Sequence, residues 1–145
     1  MAIISPSILA ADMIVFVSPI YYFGFNAQLK AVIDRFYAVN PELKTHTHKK
    51  AILLTAGGGK EEWIPDGIFA NYHTMLRYLN WTSAGQVCAL SCHGKEQLAA
   101  GNWLEEARQL LLKEGTAEGP NVMYFETGQG SELSSNAHFD TDQVT

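Results

Sequence analysis

Residues 11–36 read ADMIVFVSPIYYFGFNAQLKAVIDRF and contain a strand, a loop and a helix in succession. The apolar run Met13–Ser18 (MIVFVS) alternates little between apolar and polar residues, which is typical of a strand covered on both faces. Apolar residues then recur at helical spacing after the loop Pro19–Asn26, and Asn26 is a suitable N-cap. The apolar positions of that helix are Leu29, Val32, Ile33 and Phe36. The stretch therefore predicts a buried strand followed by an amphipathic helix.

The same pattern occurs twice more along the chain. Ala51–Thr55 (AILLT) and Ala84–Ser91 (AGQVCALS) are short apolar runs rich in Ile, Val and Leu, and each precedes a helical pattern. The two helical patterns include residues 68–79 and 104–111. Strands that alternate with helices predict right-handed parallel crossovers, so we expect the α/β class with a parallel sheet.

Length and composition exclude several classes of protein. The 145 residues suit one domain, and a hydrophobic content of 47% is too high for a disordered chain. No apolar run approaches the roughly 20 residues of a membrane span, so we expect no membrane association. No basic stripe is present to neutralise phosphates, which argues against nucleic acid as a partner. Two cysteines and the absence of a basic segment before the first apolar residues favour the cytoplasm over secretion.

Charge and composition change near residues 115–120 (GTAEGP). Residues 1–118 contain all ten Lys and Arg and eleven of the fifteen acidic residues, whereas residues 119–145 contain four acidic residues and no Lys or Arg. We therefore expect two unlike pieces, a domain over residues 1–118 and an acidic tail over residues 119–145.

The three loops that follow the strands carry the candidate binding residues. Because the carboxyl ends of parallel strands meet at one edge of a sheet, these loops are expected to lie together where open α/β folds bind ligands. The loop Pro19–Asn26 is rich in aromatic residues, Ala56–Ile64 is rich in glycine, and the third loop is Cys92–Gly101. An aromatic wall beside bare backbone suits a flat conjugated ligand. Equally, the aromatic residues could close the end of the core, and the glycines could form an ordinary turn.

Residues for acid–base, nucleophilic or metal chemistry are few. We find no Ser-His-Asp arrangement and no paired carboxylates, and Cys92 beside His93 is only a weak catalytic pair. Cys88 is expected to be a buried thiol. His46 and His48 have no evident third ligand for a metal ion. We therefore assign no catalytic residue and no metal ligand.

Residues 8–113 resemble the flavodoxin-like family of NAD(P)H-dependent FMN reductases. The motifs that carry the resemblance are Ala11-Asp12, Ser18-Pro19-Ile20-Tyr21, Lys30 and Asp34-Arg35-Phe36, in that order. The resemblance implies a three-layer, flavodoxin-like sandwich that binds FMN and uses NAD(P)H as co-substrate. It also implies hydride transfer to a quinone or a similar small-molecule acceptor.

In that family two loops border the isoalloxazine ring of the flavin. Carried over to this sequence, the resemblance implies one wall formed by Pro19, Ile20, Tyr21, Tyr22, Phe23 and Gly24. The other wall is formed by Ala56, Gly57, Gly58 and Gly59. Flavin N5 itself accepts and donates the hydride, so the lack of a catalytic acid–base pair agrees with this function.

The family has a first strand, a phosphate-binding loop, a helix and a second strand before the position of Ala11. Only ten residues precede it here, so we expect an N-terminally truncated fold, weaker capture of the FMN phosphate and a bare edge on Met13–Ser18. The β-prone segment Val122–Thr127 could fold back onto that edge, within its own chain or exchanged with a neighbour. Alternatively, two copies could pair their edges. We expect a homodimer.

Residues 119–145 resemble part of the large subunit of ethanolamine ammonia-lyase, an adenosylcobalamin enzyme built on a TIM barrel. The motif is YFETGQGS, residues 124–131, and the family's glutamate that matches Glu126 lies at the active site. One strand and loop cannot form a barrel, so we assign no lyase activity. Two alternatives to the oxidoreductase remain: a non-catalytic, chimeric flavodoxin-like protein that acts only by self-association, and a fragment of the lyase.

Overall fold

The computed structural model of the chain describes residues 4–46 and 48–114, together with the backbone of residues 122–126. The strands are β1 (Met13–Pro19), β2 (Lys50–Ala56), β3 (Thr82–Ala89) and β4 (Val122–Glu126). The α-helices are α1 (Ser5–Ala10), α2 (Ala27–Asp34), α3 (Asn40–Thr45), α4 (Asp66–Leu79), α5 (Lys95–Ala100) and α6 (Trp103–Glu114). A 3-10 helix, Arg35–Val39, joins α2 to α3. The predicted joint at residues 115–120 and the chain beyond residue 126 lie outside the described residues.

The four strands form one sheet in the order β3-β2-β1-β4, and every neighbouring pair is parallel. β2 pairs with β1 along its whole length, and β4 pairs with residues 13–17 of β1. The edge of β1 that the sequence predicted to be bare is therefore paired. Of the solutions that the sequence left open, the structure contains the fold-back within one chain.

The side of the sheet that faces α2, α3 and α4 carries the larger core. Phe16 of β1 is fully buried there, and its ring centroid lies 6.4 Å from that of Phe25 and 6.3 Å from that of Tyr72. The Tyr72 hydroxyl donates a hydrogen bond of 2.7 Å to the carbonyl oxygen of Ala51, which ties α4 to β2. Further buried members are Ile8, Leu29, Leu43, Ile68 and Leu76. Burial of each such side chain stabilises the fold by about 1.5–3 kcal/mol.

The opposite side of the sheet has a smaller core and is covered by α6. Its buried residues are Met13, Val15 and Ile52. Leu110 and Leu111 of α6 pack against them. Gly85 of β3 has a φ of 153° and lies under Leu110, so a Cβ atom there would come within 2.6 Å of Leu110 Cδ1. Glycine at this position lets α6 approach the sheet. Helices therefore cover both faces, which confirms the predicted layered α/β architecture.

The predicted first helix begins as its N-cap residue indicates. The backbone N–H of Leu29 donates to Asn26 Oδ1 at 3.0 Å, as the capping interpretation requires. Pro65 is the N-cap residue of α4. No helix in the described ranges is both long and apolar enough to cross a bilayer.

Helix α1 is a feature that periodicity does not predict. Lys49 is buried, and its ammonium donates hydrogen bonds to carbonyl oxygens at the end of α1, to Ile8 at 2.9 Å and to Ala11. Burial lowers the pKa of Lys49, and the nearby Asp12 carboxylate opposes that shift. The short helix thus depends on a lysine about 40 residues away, which a local pattern cannot reveal.

Candidate functional site

The loops that follow β1, β2 and β3 meet at the carboxyl edge of the sheet. The backbone N–H of Ile20 donates to the carbonyl oxygen of Ala56 at 2.8 Å, and the N–H of Gly57 donates to Ala89 at 2.9 Å. The N–H of Cys92 in turn donates to Gly57 at 3.0 Å. The three loops are thus bonded to one another in sequence, as the parallel topology predicted.

The aromatic loop, residues 19–26, contains a tight turn. Tyr21 and Gly24 exchange two backbone hydrogen bonds of 3.2 and 3.1 Å, and the two residues between them, Tyr22 and Phe23, have φ values of 46° and 65°. Left-handed backbone at both central positions is the geometry that usually selects glycine or asparagine. Here it holds bulky aromatic residues, so the turn is strained. Tyr21 and Tyr22 are exposed, by 64% and 99%.

The base of this loop is held by Ser18. Its hydroxyl donates to the carbonyl oxygen of Pro19 at 2.8 Å and accepts the backbone N–H of Asn26 at 3.1 Å. Thr55 of β2 donates its hydroxyl to the Ser18 carbonyl oxygen at 2.6 Å. These hydrogen bonds fix where the aromatic loop leaves the sheet.

The glycine loop, residues 56–64, packs closely against its own neighbours. A Cβ atom on Gly58 would lie 2.9 Å from Cε1 of His93, and one on Gly59 would lie 2.1 Å from Cδ1 of Ile64. A Cβ on Gly57 would meet Ile20 at an ordinary 3.5 Å. Gly58 and Gly59 therefore leave room for the protein's own side chains, whereas Gly57 has space for a Cβ atom.

Two backbone donors of the glycine loop remain available. Within the described part of the chain, the N–H groups of Gly58 and Gly59 donate to no protein acceptor, whereas that of Gly57 is used. The Gly59 carbonyl oxygen accepts the N–H of Ser91 at 2.8 Å, which orients this stretch of backbone. The loop thus offers two adjacent, fixed amide donors.

The structure brings the two predicted walls, residues 19–24 and 56–59, to the same edge of the sheet. It also brings His93 and Trp63 to this edge, and both lie in the predicted loops but outside the ten predicted wall residues. The ring of Trp63 lies 5.3 Å from that of Phe23, so the aromatic loop and the glycine loop are in contact. In the sequence, only its position beside Cys92 singled out His93. In the structure, the His93 imidazole packs against Gly58.

Neither cysteine has the surroundings of a nucleophile. Cys88 is half-buried and not fully buried as expected, and its partial burial raises the pKa of the thiol to about 11. Cys92 Sγ contacts the carbonyl oxygen of Gly94 at 3.5 Å. Among the residues that the structure describes, no group of three or more His, Cys, Asp or Glu could hold a metal ion.

A cavity of about 420 Å³ lies below the carboxyl edge, between the sheet and α6. Its walls are almost entirely apolar and include Val17, Leu54, Val87, Trp103 and Leu104. A larger groove, of about 890 Å³, lies between α2 and α4 and is lined by Tyr37 and Tyr78. The groove includes no residue of the aromatic or glycine loops, so we place the candidate site at the carboxyl edge despite the groove's size.

Residues 5–111 match the sequence model of a family described as having a flavodoxin-like fold. The chain belongs to the flavodoxin-like fold family. A solved structure, the Trp repressor binding protein from Bacillus subtilis, superposes with a TM-score of 0.67 at 24% identity, covering 76% of this chain and 68% of that one. This likeness confirms the flavodoxin-like fold that the sequence indicated.

A curated relative bears the name of a redox enzyme. The FMN-dependent NADH:quinone oxidoreductase of Bordetella parapertussis is 33% identical over 111 residues, which cover 70% of this flavodoxin-like chain and 53% of that protein. The chain thus spans about half the length of the oxidoreductases that it matches.

The second resemblance is confirmed as well. Residues 80–145 match the model of the ethanolamine ammonia lyase large subunit. The large subunit from Escherichia coli K12 is 52% identical over 42 residues, 29% of this chain and 9% of that protein. The model match begins earlier than residue 119 and overlaps the flavodoxin-like match over residues 80–111, where the structure contains β3, α5 and most of α6.

Proposed function

We propose that this chain forms the flavin-ring site of an FMN-dependent NADH:quinone oxidoreductase. The observation that carries the proposal is the contact between the aromatic loop and the glycine loop at the carboxyl edge, made by Phe23 and Trp63. The names of the relatives support FMN as cofactor and NADH as co-substrate. Because those relatives are about twice as long, the activity itself is part of the proposal.

The described residues fit a flat, conjugated ring. Exposed aromatic side chains on residues 21–23 offer stacking surfaces, and the N–H groups of Gly58 and Gly59 offer hydrogen-bond donors to ring oxygen or nitrogen atoms. Ile20 and Ile64, which pack near Gly57, add apolar surface between the two walls. When bound, FMN supplies the hydride-transfer chemistry, so the protein's residues need only bind and orient it.

The ten residues proposed to bind the cofactor are those of the two walls. They are Pro19, Ile20, Tyr21, Tyr22, Phe23, Gly24, Ala56, Gly57, Gly58 and Gly59. We assign Tyr21 the stacking role, because its backbone closes the turn while its ring remains accessible for stacking. Gly58 and Gly59 act through their backbone.

Titration of the protein with FMN tests the proposal. We expect quenching of flavin fluorescence with a shift in flavin absorbance, and we expect Tyr21→Ala to weaken FMN affinity by about 1–2 kcal/mol through loss of ring stacking. Tyr37→Ala is the matched control, because Tyr37 is exposed on the 3-10 helix and outside both loops. No binding at high micromolar FMN would contradict the proposal, and unchanged affinity in folded Tyr21→Ala would remove that loop from the site.

Two further properties are proposed with the activity, a homodimer and a cytoplasmic location. β4 already pairs with the edge of β1, so a dimer would have to use another surface. Light scattering of the whole chain would support the dimer if it gave twice the mass of 16.0 kDa, and a monomer would contradict it. The lyase-like segment corresponds to 9% of the lyase subunit, so no lyase activity is proposed.

A further inference from the structure

The groove between α2 and α4 contains a tyrosine with two polar neighbours. Tyr78 lies in the last turn of α4 and lines the groove. The side-chain amide of Asn40, at the start of α3, donates a hydrogen bond of 2.6 Å to the Tyr78 hydroxyl oxygen. The ammonium of Lys44, one turn further along α3, lies 3.5 Å from the centre of the Tyr78 ring. Two side chains of α3 thus converge on one phenol of α4.

These two neighbours favour the ionised form of the phenol. A donor to the hydroxyl oxygen and a cation over the ring both stabilise negative charge on that oxygen. The pKa of Tyr78 is lowered from its ordinary value of 10.0, first by the Asn40 hydrogen bond and then by Lys44. Asp34 and Tyr37 also line the groove, and the Asp34 carboxylate is already in an ion pair within its own helix. The side chains of α3 therefore make Tyr78 a more acidic phenol than an ordinary tyrosine.

The groove beside this phenol suits an uncharged, apolar molecule. Its volume of about 890 Å³ accommodates a compound with one or two rings. Tyr78 is 55% exposed, so a molecule in the groove can reach it. A tyrosine hydroxyl is a weak nucleophile at its ordinary pKa, and a lowered pKa activates it. The apolar side chains that line the groove are Ile33, Phe36, Met75 and Leu79.

We propose that Tyr78 is a nucleophilic tyrosine and that the groove brings uncharged, apolar acyl or sulfonyl electrophiles to it. Asn40 and Lys44 are positioning residues, because they act through the Tyr78 oxygen. In the reaction, that oxygen forms a bond to the electrophilic carbon or sulfur, the leaving group departs with its electron pair, and the phenolic proton passes to water. The described residues that line the groove include none of the ten proposed to bind the cofactor, so this site is independent of the proposed flavin site.

Reaction of the whole chain with benzenesulfonyl fluoride tests the proposal. Peptide mass spectrometry over a time course at pH 8 gives the rate of modification at each tyrosine, with fluoride as the leaving group. If exposure alone set these rates, Tyr22 and Tyr37, which are 99% and 83% exposed, would react faster than Tyr78. We expect Tyr78 to react about fivefold faster than either, as for one hydrogen bond to the reacting oxygen. Faster reaction at Tyr22 or Tyr37, or reaction of Lys44 in place of Tyr78, would overturn the proposal.

Two variants test the contribution of α3. Asn40→Ala removes the hydrogen bond, and Lys44→Met removes the charge while keeping most of the side chain's length. We expect each to slow reaction at Tyr78 about fivefold and to move its pH–rate profile to higher pH. The rate at Tyr22 in the same molecules should not change, and protection of the fully buried Tyr72 reports an intact fold. An unchanged rate and an unchanged profile in both folded variants would overturn the proposal.

A third variant tests the groove itself. Thr74 lines the groove one turn before Tyr78, so Thr74→Trp narrows the groove while leaving Asn40 and Lys44 in place. We expect this variant to slow the reaction of Tyr78 with benzenesulfonyl fluoride and to leave its reaction with the much smaller methanesulfonyl fluoride unchanged. Equal slowing of both reagents, or slowing of neither, would show that the groove does not deliver the electrophile and would overturn that part of the proposal.

Discussion

β2 and β4 lie on opposite sides of β1, and both pair with it in parallel. β2 belongs to the segment that matches the flavodoxin-like family, whereas β4 lies only within the segment that matches the ammonia lyase. Two strands from segments that resemble unrelated families thus pair with the backbone of the same strand, β1. A strand edge requires N–H and C=O partners at the right spacing, and it does not require particular side chains.

The two neighbours differ in how far they extend. β2 pairs with β1 as far as Pro19, whereas β4 pairing ends at Val17. In the described residues, Ser18 and Pro19 therefore have a paired strand on the β2 side only. The candidate site lies on the β2 side of β1, because its second wall follows β2 and its third loop follows β3. Pairing by β4 completes the sheet, and the segment that matches the flavodoxin-like family supplies both walls.

The largest expected effect comes from the side chains of β1 itself. Phe16→Ala removes a fully buried ring packed against Phe25 and Tyr72, and we expect a loss of about 3–5 kcal/mol in the free energy of unfolding. Val15→Ala, equally buried on the opposite face, should lose about 2 kcal/mol. Denaturant titration measures both. Equal losses would mean that the two faces contribute alike, contrary to the difference in their cores.

The second-largest expected effect tests the pairing of β4 with β1. Adjacent residues of an edge strand direct their N–H groups to opposite sides, so only one of Tyr124 and Phe125 has its N–H directed towards β1. Proline removes that N–H. We expect one of Tyr124→Pro and Phe125→Pro to lose about 1–3 kcal/mol of stability and the other clearly less. The two variants serve as controls for each other. Similar losses from both would contradict the pairing of β4 with β1.

The main features of the fold follow from local patterns in the sequence. The apolar runs at β1 and β2, the periodic helices and the Asn26 cap are all short-range signals, and each predicts its element. β4 emerged only as one of several possible partners for a bare edge, because β-propensity does not identify the strand's neighbour. Helix α1 was missed because its stabilising partner, Lys49, is distant in the sequence.

The candidate site was predicted as two loops, and the structure brings these loops together. The sequence could not show what the glycines accommodate, since Gly58 lies against His93 of the third loop and Gly59 against Ile64 of its own loop. It also could not indicate the positive φ values of Tyr22 and Phe23, because aromatic residues rarely adopt them. Contacts of this kind depend on tertiary structure and have no period or spacing in the sequence.

The smallest expected effect tests the bond that fastens β2 to α4. Tyr72→Phe removes the hydroxyl that donates to Ala51, so we expect a loss of about 1 kcal/mol at neutral pH. Burial raises the pKa of Tyr72 from 10.0 to about 12, so the wild-type hydroxyl contributes fully below pH 10 and loses its contribution as the pH rises to 12. The difference in stability between wild type and Tyr72→Phe should therefore shrink over that range.

Cys88, whose raised pKa acts in the same direction between pH 9.0 and about 11, is present in both proteins and cancels. Urea titrations at several pH values, with Tyr37→Phe as the exposed control, measure the difference. A constant difference from pH 8 to 12 would show that the hydroxyl does not hold β2 to α4 as the structure indicates.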